Sequence, residues 1–83
     1  MGDIVNLKDL QEYFDNNNGV KFKLYSMNYI IEQKENSIEA YAEAFPGRKE
    51  KYKSFKETIN NFKIYNEPLV NQIDSIELIE NDK

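Results

Sequence analysis

The chain has 83 residues and a net charge of −4, and it contains no cysteine, histidine or tryptophan. A chain of this length can form one domain with a small core, which here has no disulfide to support it. The lack of cysteine and histidine excludes the usual zinc sites and the commonest general base near neutral pH. We therefore expect one domain over residues 1–83, with no metal and no cofactor.

No apolar run approaches the roughly 20 residues that a membrane-spanning helix needs. Residues 1–6 have neither the basic start nor the apolar stretch of a secretory signal. The sequence therefore predicts a cytoplasmic protein without membrane contact. The heavy use of Lys, Ile and Asn, which have AT-rich codons, suggests a bacterial or mobile-element origin.

A first helix is predicted over residues 7–15. Asn6 has the side chain of a helix N-cap, and Asp9 three residues later completes a pair that resembles a capping box. Val5 and Leu10 have the spacing of a hydrophobic staple. The expected buried stripe of this helix consists of Leu7, Leu10 and Phe14.

Residues 16–19 (Asn-Asn-Asn-Gly) should end this helix, because Asn and Gly tolerate the left-handed conformation. Their spacing does not match a calcium-binding loop. Residues 20–33 then alternate in two phases, with apolar residues at even positions up to Leu24 and at odd positions from Tyr25 onwards. Since a strand cannot change face without an irregularity, we predict one strand with a bulge or bend at residues 25–27.

Residues 34–37 are predicted to form a hairpin loop. Residues 38–45 alternate as a strand does, but they also satisfy helical spacing and are rich in the helix formers Ala and Glu. We predict a strand, because a short loop most simply joins two antiparallel strands. Pro46 and Gly47 should end it.

A central amphipathic helix is predicted over residues 52–62, where large apolar side chains recur at helical spacing: Tyr52, Phe55, Ile59 and Phe62. Such a stripe can bind a partner, but it is far more often core. A chain this small needs it for its core, since each buried side chain contributes roughly 1.5–3 kcal/mol. We therefore interpret the stripe as core.

After this helix we predict an extended piece at residues 63–65, a helical turn over residues 66–72 with Pro68 in its first turn, and a last strand over residues 76–80. The predicted fold class is α+β. It combines a small antiparallel sheet, either a hairpin or a three-stranded meander, with the N-terminal helix and the central amphipathic helix packed against it.

Residues 48–63 hold six of the eleven basic residues and two of the fifteen acidic ones. The candidate binding residues here are Arg48, Lys49, Lys51, Lys53 and Lys56. Positive charge at the start of the predicted helix opposes the helix dipole, at roughly 0.3–1 kcal/mol per residue, but together with free first-turn amides it suits an anion or an acidic partner. The alternative is a solvated loop neutralised by acids of the tail: Asp74, Glu77, Glu80 and Asp82.

If these residues serve binding, reversing Lys49 and Lys51 to Glu should leave stability unchanged or raise it through the helix dipole. If they serve folding, the reversal should cost stability. We predict the first outcome, in which stability is unchanged or higher, with the solvated loop as the alternative interpretation.

Tyr25, Tyr29 and Tyr41, flanked by Lys21 and Lys23, resemble the sheet platforms on which single-stranded nucleic acids stack. Half-buried tyrosines are also ordinary on a small sheet, and packing is the favoured interpretation. No nucleophile motif and no phosphate-binding glycine loop is present, so we do not expect an enzyme.

The function hypothesis is therefore a small acidic binding or adaptor protein that contacts another protein, whose identity and process are unknown. The alternative is a nucleic-acid-associated protein that uses the basic residues between 48 and 56.

Overall fold

The computed structural model describes residues 6–79. The helices in this range are α1 (Leu7–Asn17), α2 (Phe55–Asn61) and a 3₁₀ helix (Leu69–Ser75). The strands are β1 (Gly19–Leu24), β2 (Met27–Gln33), β3 (Ile38–Ala42), β4 (Glu50–Tyr52), β5 (Lys63–Ile64), β6 (Glu67–Pro68) and β7 (Glu77–Ile79). The fold is α+β, as predicted. The expected packing of Val5 on Leu10 and the last residue of the predicted final strand, Glu80, fall outside the described residues.

Five strands form one antiparallel sheet in the order β4–β3–β2–β1–β7. The sheet is wider than the predicted meander because two short strands, β4 and β7, extend it at opposite edges. β5 and β6 pair separately as a small hairpin. The sheet therefore has a meander of β1, β2 and β3 at its centre and one short strand at each edge.

The predicted bulge at residues 25–27 is wrong, because the chain reverses direction there. Tyr25 and Ser26 form a two-residue turn with φ angles of 54° and 72°, and Leu24 pairs with Met27. Because the residue before such a turn pairs with the residue after it, the apolar alternation changes phase across the turn. Hairpin turns of this kind favour Asn-Gly or Asp-Gly, and neither is present, so the usual sequence signal is missing.

Three other predictions for this half of the chain are confirmed. Asn6 Oδ1 accepts a hydrogen bond from Asp9 N at 2.8 Å and caps α1, which ends at Asn18 in the left-handed region. Residues 34–37 form the hairpin loop, closed by Lys34 N donating to Ser37 O at 2.7 Å. Residues 38–42 are a strand, although the strand ends three residues before Phe45.

All three helices contribute to one core on a single face of the sheet. The ring centroids of Phe14 in α1 and Phe55 in α2 lie 4.8 Å apart. Leu7, which was assigned to the buried stripe, is 39% exposed. The sheet residues of the core are Val20, Phe22, Leu24, Tyr29, Ile31, Ile38 and Ala40. The opposite face of the sheet, here called the outer face, carries no helix of residues 6–79.

The central helix is shorter than predicted. α2 begins at Phe55, while Tyr52 lies in β4 and Phe62 is the C-cap. A capping-box sequence at Ser54 and Glu57 determines where α2 begins, and the spacing of the apolar residues did not reveal it. Ser54 Oγ accepts from Glu57 N at 3.0 Å, and the Glu57 carboxylate accepts from Lys53 N at 2.8 Å. The assignment of the apolar stripe to the core is nevertheless confirmed, with Tyr52 only partly buried.

The end of the chain is close to the prediction. Residues 63–64 are extended, and the helical turn is a 3₁₀ helix that begins at Leu69, so Pro68 precedes it instead of lying inside it. β7 pairs with β1, and Leu78 lies opposite Phe22 on the core face.

Candidate binding surface

The structure distributes the predicted basic residues over different elements. Arg48 ends a turn before β4, Lys51 lies in β4 and Lys56 lies in α2. Lys49 precedes β4, and Lys53 follows it. Because β4 is an edge strand, these side chains are strung along one edge of the sheet and do not converge on a single point.

The basic segment does not form the start of the central helix as expected, because β4 lies between Arg48 and α2. The first turn of α2 carries its own acid, Glu57, whose amide already donates to Ser54 Oγ, and the Glu57 carboxylate accepts from Lys53 N just before the helix. A second anion at that position would meet the Glu57 carboxylate. The helix-dipole argument therefore does not apply to Arg48, Lys49 and Lys51, and of the basic residues only Lys56 lies within α2.

Lys49 has partners within the fold. Its Nζ lies 3.7 Å from Glu39 Oε1 and 5.0 Å from the centroid of the Tyr41 ring. The Tyr41 hydroxyl donates to Glu32 Oε2 at 3.0 Å, and burial together with this hydrogen bond raises the pKa of Tyr41 above its ordinary value. Lys49 thus belongs to a polar network on the outer face.

The described part of the acidic tail does not neutralise the basic residues. Glu77 lies in β7, at the opposite edge of the sheet from β4. Four strand spacings separate these edges, which is roughly 19 Å. Asp74 forms no ion pair within residues 6–79, and Glu80 and Asp82 lie outside that range.

The three tyrosines considered as a stacking platform do not share a face. Tyr29 lies opposite Phe22 and is buried in the core, whereas Tyr41 lies opposite Ile30 on the outer face. Tyr25 is in the turn between β1 and β2. A nucleic-acid platform built from these rings is therefore not formed.

A different group of side chains converges at one end of the fold. The exposed large apolar residues of the described chain are Leu7, Tyr25, Phe45 and Tyr65, and the last three are 53%, 54% and 63% exposed. The rings of Tyr25 and Tyr65 are in contact, with centroids 5.5 Å apart. Phe45 and Tyr65 line one pocket of about 210 Å³, together with Arg48 and Lys63. We call Tyr25, Phe45, Arg48, Lys63 and Tyr65 the aromatic–cationic surface.

Three turns build this surface. Arg48 N donates to Phe45 O at 3.0 Å across Pro46-Gly47, so the two side chains start from the two ends of one β-turn. Pro is favoured at the second position of such a turn because its φ is already fixed. The other two turns are the hairpin turns that begin with Tyr25 and Tyr65.

Both tyrosines occupy backbone conformations that non-glycine residues rarely adopt. Tyr25 and Ser26 have positive φ, and so do Tyr65 and Asn66, at 56° and 67°. The left-handed region costs a residue with a Cβ roughly 1–2 kcal/mol. Each hairpin therefore presents an exposed tyrosine at a position where glycine or asparagine would cost less.

The pocket has apolar walls and a positively charged rim. Buried Tyr29 and Phe62 line it and meet edge to face, with centroids 6.2 Å apart. Burial, with the neighbouring Tyr65, raises the pKa of Tyr29, so this phenol stays neutral well above neutral pH. Among residues 6–79, no acidic residue lines the pocket, and neither Arg48 nor Lys63 forms an ion pair.

Of this surface, the sequence indicated Arg48 as a candidate binding residue and Tyr25 only as part of a possible stacking platform. Asn66, followed by Glu-Pro, is a turn signal that could have placed Tyr65 at a hairpin tip. No local signal connects the tip at Tyr65 with the tip at Tyr25, which lies forty residues away in the chain.

Comparison of the chain with protein-family models, with curated proteins and with solved structures finds no match. None of the helices between residues 6 and 79 is long and apolar enough to cross a membrane. The same residues contain no cluster of three or more acidic, histidine or cysteine side chains that could hold a metal ion.

Proposed function

We propose that this protein is a small binding or adaptor protein that acts by contact with another protein, through the aromatic–cationic surface. The observation that carries the proposal is the grouping of three exposed aromatic rings: Phe45 and Tyr65 line one pocket, and Tyr25 packs against Tyr65. Tyrosine and arginine are enriched among the residues that dominate protein–protein binding energy, and grouped exposed apolar side chains mark interaction sites.

The conformations of Tyr25 and Tyr65 support this proposal. Local stability alone favours residues that tolerate positive φ at both positions. Residues held against local preference are typical of functional sites. The rings of Tyr25 and Tyr65 are in contact, so the two strained hairpin turns together form one surface.

The size of the pocket favours binding over catalysis. Its volume of about 210 Å³ lies below the roughly 300–1,000 Å³ of typical small-molecule sites. Such a pocket suits one side chain of a partner.

The cysteine-free composition suits a reducing compartment, and we include a cytoplasmic location in the proposal.

Site-specific photocrosslinking in cells of the source organism tests the proposal. A photoreactive phenylalanine analogue at position 65 or 45 should crosslink to a discrete protein, and the same probe at the exposed Leu7 should not. Position 7 is the matched control because its side chain is also apolar and exposed. Equal crosslinking from all three positions would contradict the proposal.

Nucleic-acid binding through Arg48, Lys49, Lys51, Lys53 and Lys56 is the second candidate. The observation in its favour is that Lys49 alone among these five forms an ion pair within residues 6–79. Binding to phosphates should weaken steeply and log-linearly as the salt concentration rises. Titration of a single-stranded and a double-stranded oligonucleotide at several salt concentrations tests it, and an absence of salt-dependent binding would remove this candidate.

A further inference from the structure

The aromatic–cationic surface carries the positive charge of Arg48 and Lys63 on a protein whose net charge is −4. Both side chains are exposed, and neither meets an acidic partner within residues 6–79. Elsewhere the charges are partly paired: Lys21 with Glu43, Lys34 with Glu32, and Lys49 with Glu39. The rim of the pocket is thus a place where an incoming negative charge finds a cation without displacing an internal partner.

The position of Arg48 relates the charge to the pocket. Phe45 and Arg48 lie at the two ends of one hydrogen-bonded turn, and both line the pocket with Tyr65. A ligand side chain that enters the pocket between the rings of Phe45 and Tyr65 therefore passes close to the guanidinium group of Arg48. Arginine binds carboxylates with two parallel hydrogen bonds, which adds directional specificity to the charge attraction.

From this geometry we infer that the occupant is an acidic segment of a partner protein, with one apolar side chain in the pocket and adjacent carboxylates on Arg48 and Lys63. The inference rests on the proposed function and names the chemistry of the partner. Charge complementarity selects this occupant, because a basic segment would be repelled at the rim.

A nucleic-acid strand fits the same observations less well. It needs a row of cations that follows the phosphates, whereas Lys49 is engaged by Glu39 and Lys56 lies on α2. The net charge of −4 also opposes a polyanion that must contact a large area of the protein. A short acidic peptide makes a smaller contact, limited to the pocket and its rim.

Selection of binders from a display library of random short peptides, with the intact protein as bait, tests the inference. The selected peptides should share an aromatic or large aliphatic residue flanked by Asp or Glu. A synthetic copy of the best peptide should bind the double variant Arg48→Ser/Lys63→Ser roughly tenfold to a hundredfold more weakly than the wild type. The control Lys8→Ser/Lys34→Ser removes the same charge from α1 and from the loop after β2, and should change affinity less than about threefold.

Further arms separate the two proposals. If Phe45→Ser and Tyr65→Ser abolish binding while Arg48→Ser/Lys63→Ser behaves like its control, the surface binds protein but the acidic occupant is overturned. If the selected peptides bind Phe45→Ser and Tyr65→Ser normally, both proposals fail for this surface. A library that yields no binder, or a single-stranded oligonucleotide that binds more tightly than the peptide and depends on the same residues, also overturns the inference. Thermal melts of every variant are compared with that of the wild type, so that a loss of affinity caused by unfolding can be recognised.

Discussion

At the scale of single residues, Tyr25 and Tyr65 show how two side chains can be placed against local preference. Each begins a two-residue hairpin turn with positive φ at both central residues. The hairpins form despite this cost because their strands bury apolar side chains such as Leu24 and Ile64. The tertiary fold therefore decides the conformation of both turns.

Replacing Tyr25 separates the cost of the backbone from the role of the ring. Tyr25→Asn and Tyr25→Ala both remove the ring, but asparagine tolerates the left-handed region better than alanine. We expect Tyr25→Asn to be more stable than Tyr25→Ala by roughly 0.5–1 kcal/mol. Urea melts of the two variants give this difference directly, and an alanine variant at least as stable as the asparagine variant would show that the turn is not strained.

Glu43 predicts how stability depends on pH. The hydrogen bond from Lys21 Nζ at 2.8 Å and that from Asn28 Nδ2 at 3.0 Å lower the pKa of Glu43 below 4.5. A carboxyl whose pKa is lower in the folded state stabilises the fold above its ordinary pKa, and this contribution is lost as the pH falls through the folded value. We therefore expect the melting temperature to decline below about pH 4.5, and less steeply in Glu43→Gln.

The control for Glu43 is Glu12→Gln, an exposed glutamate of α1 without an ion pair within the described residues. Melting curves for the three proteins from neutral pH down to about pH 3 provide the measurement. Identical slopes for Glu43→Gln and the wild type would mean that the contacts of Glu43 do not persist in solution.

At the scale of elements, α2 is short and depends on packing for its stability. Seven residues are too few to form a stable helix alone. Phe55 is 6% exposed and contacts Phe14 of α1, so this ring connects the two helices over the sheet. The capping box at Ser54 and Glu57 determines where α2 begins, and the core determines that it forms.

Phe55→Ala should destabilise the protein by roughly 3–5 kcal/mol, because it opens a cavity between both helices and the sheet. This loss is a large part of the total stability of a small domain. Denaturant unfolding measures it, with Leu7→Ala as the control at an exposed position of α1. An unchanged denaturant midpoint for Phe55→Ala would show that α2 does not pack in the core.

The edge strand β4 revises the expectation for the basic residues. Lys51 lies directly opposite Glu39, and Lys49 forms an ion pair with the same glutamate. Lys49→Glu/Lys51→Glu places like charges across the strand pair and should lose roughly 0.5–1.5 kcal/mol, which high salt should largely restore. Lys49 and Lys51 do not lie at a helix start, so the helix dipole gives no reason to expect that their reversal leaves stability unchanged or raises it.

A matched reversal at two helix starts provides the control for β4. Lys8 and Lys56 are each the second residue of a helix, where negative charge is favoured. Lys8→Glu/Lys56→Glu has the same net charge as the β4 variant and should leave stability unchanged or slightly raised. Equal losses in both double variants would point to overall charge instead of the contacts with Glu39.

At the scale of the whole molecule, the helices cover one face of the sheet and a polar network covers the other. An ion pair, a hydrogen bond and a cation–π contact among Glu32, Lys34, Tyr41 and Lys49 link β2, β3 and the residue before β4 on the outer face. The aromatic–cationic surface lies where the turns at one end of the sheet meet. The molecule thus separates the part that stabilises the fold from the part proposed to bind.

Divalent cations should not stabilise this protein specifically. Residues 6–79 contain no group of three candidate ligands, and the asparagine-rich segment at residues 16–19 lacks the spacing of a calcium loop. Calcium, magnesium or zinc should shift the melting temperature no more than an equal ionic strength of sodium chloride. A saturable rise with one metal would contradict this expectation.

The sequence by itself determined the elements whose signals are local. Asn6 and Asn18 bound α1 through their own conformations, and the short loop at residues 34–37 makes β3 a hairpin strand. The apolar stripe is core because a chain of this size needs large apolar side chains at helical spacing for its small core. These features depend on neighbours in the chain, which the sequence shows directly.

Only the tertiary structure decided the features that depend on distant residues. The turn at Tyr25 lacks the usual glycine and exists because β1 and β2 bury their apolar faces together. β4 forms because β3 offers an edge for pairing, and Tyr52 and Lys53 therefore lie outside the helix that the sequence predicted. The aromatic–cationic surface brings together residues 25, 45, 48, 63 and 65. These residues meet only when the sheet and both hairpins have formed, so no local sequence pattern could predict their contacts.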